Sequence, residues 1–271
     1  MYEQYWELKE KPFENTPDPR FFYYSPQHEE ALMRLLYAVE ERKGSAMLTG
    51  VFGCGKTVLG YALLEKLDKA KFRAAFLVNL QLEPVELLRA IAYNLGVTDL
   101  PKKKTEILTD YLLETIKETL CNNLNDGKDT VIIIDEAHGI QSKEVFEQLR
   151  LLLNFQLEDR FLLTLLLFGQ PELRVKVDNL KPLEQRIAIK CYLDRMSEED
   201  SENYIKHRLK VAQAEKEVFT KEAIKAIYEG SGGIPRRINQ ICDMSLLTGF
   251  GRKVEKIDEK TVQAVVKDIE G

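Results

Sequence analysis

Gly50-Val51-Phe52-Gly53-Cys54-Gly55-Lys56-Thr57 has the residue types and spacing of a phosphate-binding loop, G-x-x-x-x-G-K-T. Its glycines let backbone N–H groups close around an anionic oxygen, and a helix starting at its end adds partial positive charge. Lys56 can reach the β/γ-phosphates of a nucleotide, and the Thr57 hydroxyl can ligate Mg²⁺. Val58 continues the loop into apolar helical spacing through Leu67, and Ser45-Ala46-Met47-Leu48-Thr49 before it reads as a buried strand. Strand, glycine-rich turn and helix in that order are what the chemistry requires.

A pair of carboxylates supplies the complementary chemistry. Thr130-Val131-Ile132-Ile133-Ile134 is a β-branched run that ends in Asp135-Glu136. Four consecutive aliphatics suit a central parallel strand covered on both faces, and such strands present functional residues at their carboxyl ends. Asp135 suits holding Mg²⁺ through water, and Glu136 suits polarising an attacking water. Together the loop and the pair point to hydrolysis of a nucleoside triphosphate.

The elements that must position these residues alternate. A proline- and aromatic-rich arm, Pro12 to Pro26, precedes a helix capped by Ser25. Strands are expected at Ala74–Val78, Phe161–Phe168 and Ala188–Leu193, with helices over Pro84–Leu95, Glu106–Leu124 and Ser142 to about Gln156. Alternation of this kind implies a parallel central sheet flanked by helices. From Met196 onward the pattern is helical, with four helices starting near Ser197, Thr220, Ile234 and Asp258. The shift places a domain boundary at 195/196: an α/β nucleotide-binding domain with its arm over 1–195 and an all-α lid over 196–271.

Bulk composition narrows the class. Charged residues at 31% and hydrophobic ones at 44% describe a globular chain, not a disordered one. A net charge of −5 argues against a broadly basic surface for wrapping nucleic acid. Cys54, Cys121, Cys191 and Cys242 show no C-x-x-C spacing, so they read as reduced thiols and neither a zinc site nor a disulfide frame. Cys54 lies inside the loop, where its alkylation or oxidation should block nucleotide. The acidic, aromatic N-terminus is unlike a signal peptide, and the longest apolar run is far short of the ~20 residues of a transmembrane helix. The expected location is cytoplasmic, or peripheral at the inner face of a bacterial membrane.

An α/β nucleotide domain followed by a small helical bundle resembles the AAA+ ATPases. Gly232-Gly233-Ile234-Pro235-Arg236-Arg237 resembles their sensor-2 element, which implies that Arg236 meets the γ-phosphate. Leu183-Glu184-Gln185-Arg186-Ile187 resembles the segment carrying the arginine finger, making Arg186 the residue to act across a subunit boundary. Phe168-Gly169-Gln170-Pro171 ends a strand where sensor 1 lies, so Gln170 would orient the attacking water. The resemblance implies ATP with Mg²⁺ as cofactors and a homo-oligomer, a ring or an ATP-dependent assembly.

More specific runs narrow it. Tyr5-Trp6-Glu7-Leu8-Lys9-Glu10-Lys11-Pro12-Phe13, Thr16-Pro17-Asp18-Pro19-Arg20-Phe21-Phe22-Tyr23, Ser25-Pro26-Gln27-His28-Glu29-Glu30-Ala31-Leu32 and Gly169-Gln170-Pro171-Glu172-Leu173 are similar to the ExeA/GspA-like bacterial ATPases, including their MshM-like branch. That resemblance implies a motor for secretion, pilus or exopolysaccharide and cell-envelope assembly, with an envelope or secretion protein as partner. Longer members add a membrane helix and a peptidoglycan-binding domain. Neither follows here before Gly271, so the shorter cytoplasmic branch is the expectation. The wider kinship includes TnsC-type transposition ATPases, so a DNA-bound regulator is the alternative.

Asp135-Glu136-Ala137-His138 also spells a helicase DEAH box, but such helicases need two sheet domains and this chain has room for one. His138 reads as a histidine at a helix start, with contact to the catalytic end as the other reading. The basic run Pro101-Lys102-Lys103-Lys104 reads as solvated, with phosphate or DNA contact as its alternative. The arm aromatics Phe13, Phe21, Phe22, Tyr23 and Tyr24 read as core, and the AAA+ resemblance implies that one of them packs on adenine.

Overall fold

The computed structural model describes residues 1–78, 82–100 and 109–270. Five strands form one parallel sheet: β1 (Ser45–Gly50), β2 (Phe72–Leu77), β3 (Asp129–Ile134), β4 (Leu163–Gly169) and β5 (Ile189–Leu193), in the order β2-β3-β4-β1-β5. The intervening helices are α1 (Pro26–Glu40), α2 (Lys56–Lys66), α3 (Pro84–Asn94), α4 (Thr109–Asn125), α5 (Lys143–Leu152), α6 (Pro171–Asp178) and the single turn α7 (Lys181–Glu184). Helices α8 (Glu198–Val211), α9 (Lys221–Ser231), α10 (Pro235–Arg252) and α11 (Glu259–Glu270) follow.

Strict alternation along the strands gives the sheet two apolar faces. Met47, Leu77, Ile132, Ile134, Leu165 and Leu167 pack with residues of α3, α4 and α5. Ala46, Leu48, Val131, Ile133, Leu166 and Phe168 point the other way and are equally buried. On that second face α2 comes close because Gly60 has no side chain: a Cβ there would lie 2.9 Å from the Phe76 ring and 3.0 Å from Phe168. Tyr61 stacks on Phe76 with centroids 4.8 Å apart. A sheet covered twice is why these strands read as continuous aliphatic runs.

Parallel register also decides where the functional residues emerge. Thr49 pairs with Gly169, and Ile134 pairs with Leu167. The ends of β1, β3 and β4 therefore lie at one edge, and Gly50, Asp135 and Gln170 leave the sheet there. The chain runs from β1 to β2 at the far side of β3 and later returns to β5 beside β1, so this edge contains the reversal of strand order where α/β sheets bind ligands.

By packing, the chain groups into two compact units. One holds Glu30–Gly50 and Leu59–Leu193; the other holds Met1–Glu29, Val51–Val58 and the chain from Asp194 onward. In the second, Tyr2, Trp6, Phe13 and Phe21 of the arm enter the apolar core of α8 to α11. The Trp6 indole N–H donates to Leu246 O at 3.0 Å. Buried Arg208 donates to Pro12 O at 2.5 Å, Glu14 O at 2.9 Å and the Tyr204 hydroxyl at 2.7 Å. Arm residues thus satisfy a buried guanidinium, whose isolation would be costly. Ser197 and Thr220 cap α8 and α9 as their residue types predict. We propose a domain boundary at 195/196; the spatial grouping differs from chain order because the arm reaches across sequence to these helices.

Among the described residues, no helix is long and apolar enough to cross a membrane.

Candidate nucleotide site

The phosphate loop occupies Val51–Thr57 between β1 and the first turn of α2. Gly53 and Gly55 have φ of +80° and +95°, the left-handed region that favours glycine. Each also lies against a neighbour. A Cβ on Gly53 would sit 2.9 Å from Arg236 Cβ, and one on Gly55 would sit 3.3 Å from His28 Nε2. Lys56 is 4% exposed, and its ammonium donates to Val51 O at 2.9 Å, closing the loop on itself. Thr57 and Val58 form the start of α2.

Two elements brace this loop. The first is α1, whose buried His28 bonds Cys54 O through Nε2 at 2.9 Å and Ser25 Oγ through Nδ1 at 2.6 Å. A carbonyl only accepts, so Nε2 carries the proton and Nδ1 takes the hydroxyl hydrogen. Burial pulls the His28 pKa down, opposed by the bond to Cys54. Phe22 packs edge-on to the same ring with centroids 5.3 Å apart. The second brace is α10. Its Arg236 N–H donates to Gly53 O at 3.3 Å, and the guanidinium carbon lies 5.0 Å from the centre of the Phe52 ring.

The entry to α10 needs both glycines before it. Gly232 and Gly233 have φ of +58° and +70°, and a Cβ on Gly233 would fall 2.2 Å from Met196 O. Met196 N–H in turn donates to Gly233 O at 2.8 Å. Cys54 is 1% exposed, and burial pushes its thiol up against the opposing pull of Lys56. Thiol reagents should therefore reach it slowly.

The carboxylate end is built on β3 and β4. Asp135 is fully buried, and its Oδ1 accepts the Glu136 N–H at 2.9 Å. Glu136 itself is left-handed, φ +54° and ψ +30°, which costs about 1–2 kcal/mol for a residue with a Cβ. Strain of this kind gathers at functional sites. Glu136 opens the 3-10 turn Ala137–Gly139, and Gln170 is the N-cap residue of α6. Between them stands His138, with Nε2 3.4 Å from Glu136 Oε2 and 2.9 Å from the Gln170 side-chain amide. Asp135, Glu136 and Gln170, selected from sequence, are thus brought to one place.

Arg186 is not brought there. Its guanidinium donates to Leu153 O at 3.4 Å and Asn154 Oδ1 at 3.0 Å, and its carbonyl accepts from Ser45 Oγ at 2.5 Å. Ser45 starts β1, so Arg186 sits at the opposite edge of the sheet from Gly50, about 16 Å along the strand. It acts on nucleotide only if a second subunit presents one.

Residues 39–177 match the AAA domain family, just over half of the chain. The chain belongs to that family. General secretion pathway protein A of Aeromonas hydrophila is 36% identical to this chain over 273 residues, covering 100% of the chain and 49% of that protein. The chain therefore spans about half the length of this relative, and the similarity runs over the whole chain, the arm motifs included. The ORC2 protein of Aeropyrum pernix, solved as ADPNP-ADP complexes, superposes with a TM-score of 0.71 at 16% identity, covering 97% of this chain and 72% of that one. Cdc6p of Pyrobaculum aerophilum gives 0.74 at 16% identity, covering 93% and 71%. These two show the shared fold: a parallel α/β core with a helical C-terminal region.

His28 and His138 escaped the list of sequence-selected site residues. Each has a local hint, a serine three residues earlier for His28 and two carboxylates just before His138. Neither hint names the partner, because Cys54 and Gln170 lie 26 and 32 residues further along the chain.

Proposed function

We propose that this AAA-domain protein is an ATPase that binds ATP with Mg²⁺ at its phosphate loop and hydrolyses it to drive assembly or remodelling of a secretion, pilus or cell-envelope component. The observation that carries the reading is the loop itself. Gly53 and Gly55 adopt the left-handed backbone a phosphate cradle needs, and Arg236 from α10 lies directly on it. A loop contacted by the helix that bears the candidate γ-phosphate sensor gives bound nucleotide a way to bias that helix.

The roles follow from chemistry. Lys56 exchanges Val51 O for phosphate oxygens and neutralises charge there. Thr57 and Asp135 offer the hard oxygen donors that Mg²⁺ prefers, the rest of its octahedron falling to water and phosphate. Mg²⁺ would offset charge on the phosphates. Glu136 polarises the attacking water, Gln170 orients it, and Arg186 serves a neighbouring subunit, where an arginine finger contributes roughly 10³–10⁵ in rate. The protein would act as a homo-oligomer, cytoplasmic or held at the inner membrane face by its partner.

A Glu136→Gln protein incubated with ATP tests the biological half of this reading. It should retain envelope or secretion proteins that Lys56→Ala protein does not. Retention of none, together with ATPase stimulation by double-stranded DNA at physiological salt, would move the assignment to a DNA-bound regulator.

A further inference from the structure

We propose that His138 is a positioning residue for hydrolysis, its imidazole tying the Glu136 carboxylate to the Gln170 side chain. The proposal rests on the ATPase reading above. The Gln170 backbone N–H, a donor that cannot reverse, points at His138 Nδ1 at 3.3 Å. Nδ1 is therefore the acceptor, and the ring proton sits on Nε2. Nε2–H faces two groups, Glu136 Oε2 at 3.4 Å and the Gln170 amide at 2.9 Å. The side-chain nitrogen of Gln170 is the atom placed beside Nε2, and two donors cannot bond, so we assign the amide reversed, its oxygen facing the ring and its NH₂ turned away.

The imidazole is itself held. Lys176 of α6 donates to His138 O at 2.6 Å and to Ile140 O at 2.8 Å, fixing the turn to the helix that Gln170 caps. Gly169 leaves room for this: a Cβ there would lie 3.1 Å from His138 N and 2.9 Å from Leu173. The strained Glu136 backbone, the turn, Gln170 and α6 thus form one hydrogen-bonded piece. His138 never touches the phosphate in this role. It sets where the Glu136 carboxylate points and which face of the Gln170 amide is offered.

Steady-state kinetics with Mg-ATP and the full chain test the proposal. His138→Ala should lower kcat about 10–100-fold, the scale of a catalytic group displaced by an ångström, with KM and ADP affinity unchanged. His138→Gln, which keeps a donor near the Nε2 position, should recover part of that loss, as a merely space-filling role would not allow. Unchanged kcat in His138→Ala, or a loss confined to KM, overturns it. The ¹⁵N signals of His138 give a readout that needs no turnover. A protonated Nε2 with a hydrogen-bonded, unprotonated Nδ1 is expected, and the opposite tautomer overturns the proposal. A parent protein that binds but never hydrolyses ATP would instead sink the ATPase reading, leaving the tautomer to judge His138.

Discussion

Arg236 stacks its guanidinium on Phe52, 5.0 Å from the ring centre, while its backbone N–H bonds the carbonyl of the very next loop residue, Gly53. The candidate γ-phosphate sensor therefore rests on the loop that would hold the phosphates. Phe52 is 54% exposed, so the stack contributes about 0.5–1 kcal/mol.

If ATP must draw Arg236 from that ring, Phe52→Leu should tighten ATP binding by about two- to fivefold, the same energy expressed as affinity, and leave ADP unchanged. Arg236→Ala should erase the preference for ATP over ADP. Titration calorimetry with both nucleotides reads the two effects. An Arg236→Ala protein that still prefers ATP by the parental ratio would pass the sensor role to Arg237.

His28 supplies a pH dependence. Burial holds its pKa below the ordinary histidine value near 6.5. Between the folded value and about 6.5 the unfolded chain binds more protons than the folded one, so stability rises with pH. Its contribution is complete above that range and is lost as pH falls through the folded value. Denaturant unfolding from pH 8 to 5.5 should show a steeper acid loss in the parent than in His28→Gln. His207, also lowered by burial, titrates in both proteins and cancels in the comparison. At pH 8 the variant should be weaker by about 1 kcal/mol for the lost bond between Ser25 Oγ and Nδ1, since the Gln amide keeps a donor near the Nε2 position. Parallel pH profiles would contradict this account of the brace.

Much of this arrangement was legible in the residues, and the gaps have physical causes. The strands were evident because a sheet buried on both faces demands uninterrupted aliphatics. Strand β4 starts at Leu163, two residues after the expected Phe161, whose ring lies against Gly44 and whose backbone makes an isolated antiparallel bridge to Gln156. That same bridge stops α5 at Leu152, short of the expected Gln156. Helix α6 went unpredicted, although Pro171 at its first position and Leu173 and Val177 four apart carry the signal. The basic run 101–104 and the expected start of α4 at Glu106 lie outside the described residues. Lys56, Asp135 and Glu136 could be read because their motifs are local. The bonds of His138 could not, since they depend on strands β3 and β4 lying side by side.

Arg186 makes a prediction about assembly. Its guanidinium lies at the edge of the sheet opposite the carboxylates, so its proposed role requires another copy of the chain. ATPase activity per chain should rise with protein concentration, and Arg186→Ala should lower it by about 10³-fold or more. Mixing Arg186→Ala with Glu136→Gln chains should restore part of the activity, because one interface can then pair an intact Glu136 with an intact Arg186. Activity independent of concentration, with no rescue on mixing, would leave Arg186 as a structural tie from its own turn to Leu153 and Asn154.

Binding of ATP by the loop and its hydrolysis at the carboxylate end are separable by one substitution each. The most direct measurement follows ATP binding and phosphate release in parallel for the parent, Lys56→Ala and Glu136→Gln proteins with Mg²⁺. The parent should bind and turn over, Lys56→Ala should do neither, and Glu136→Gln should bind at parental affinity while releasing no phosphate. Normal binding by Lys56→Ala, or undiminished phosphate release by Glu136→Gln, would contradict the account.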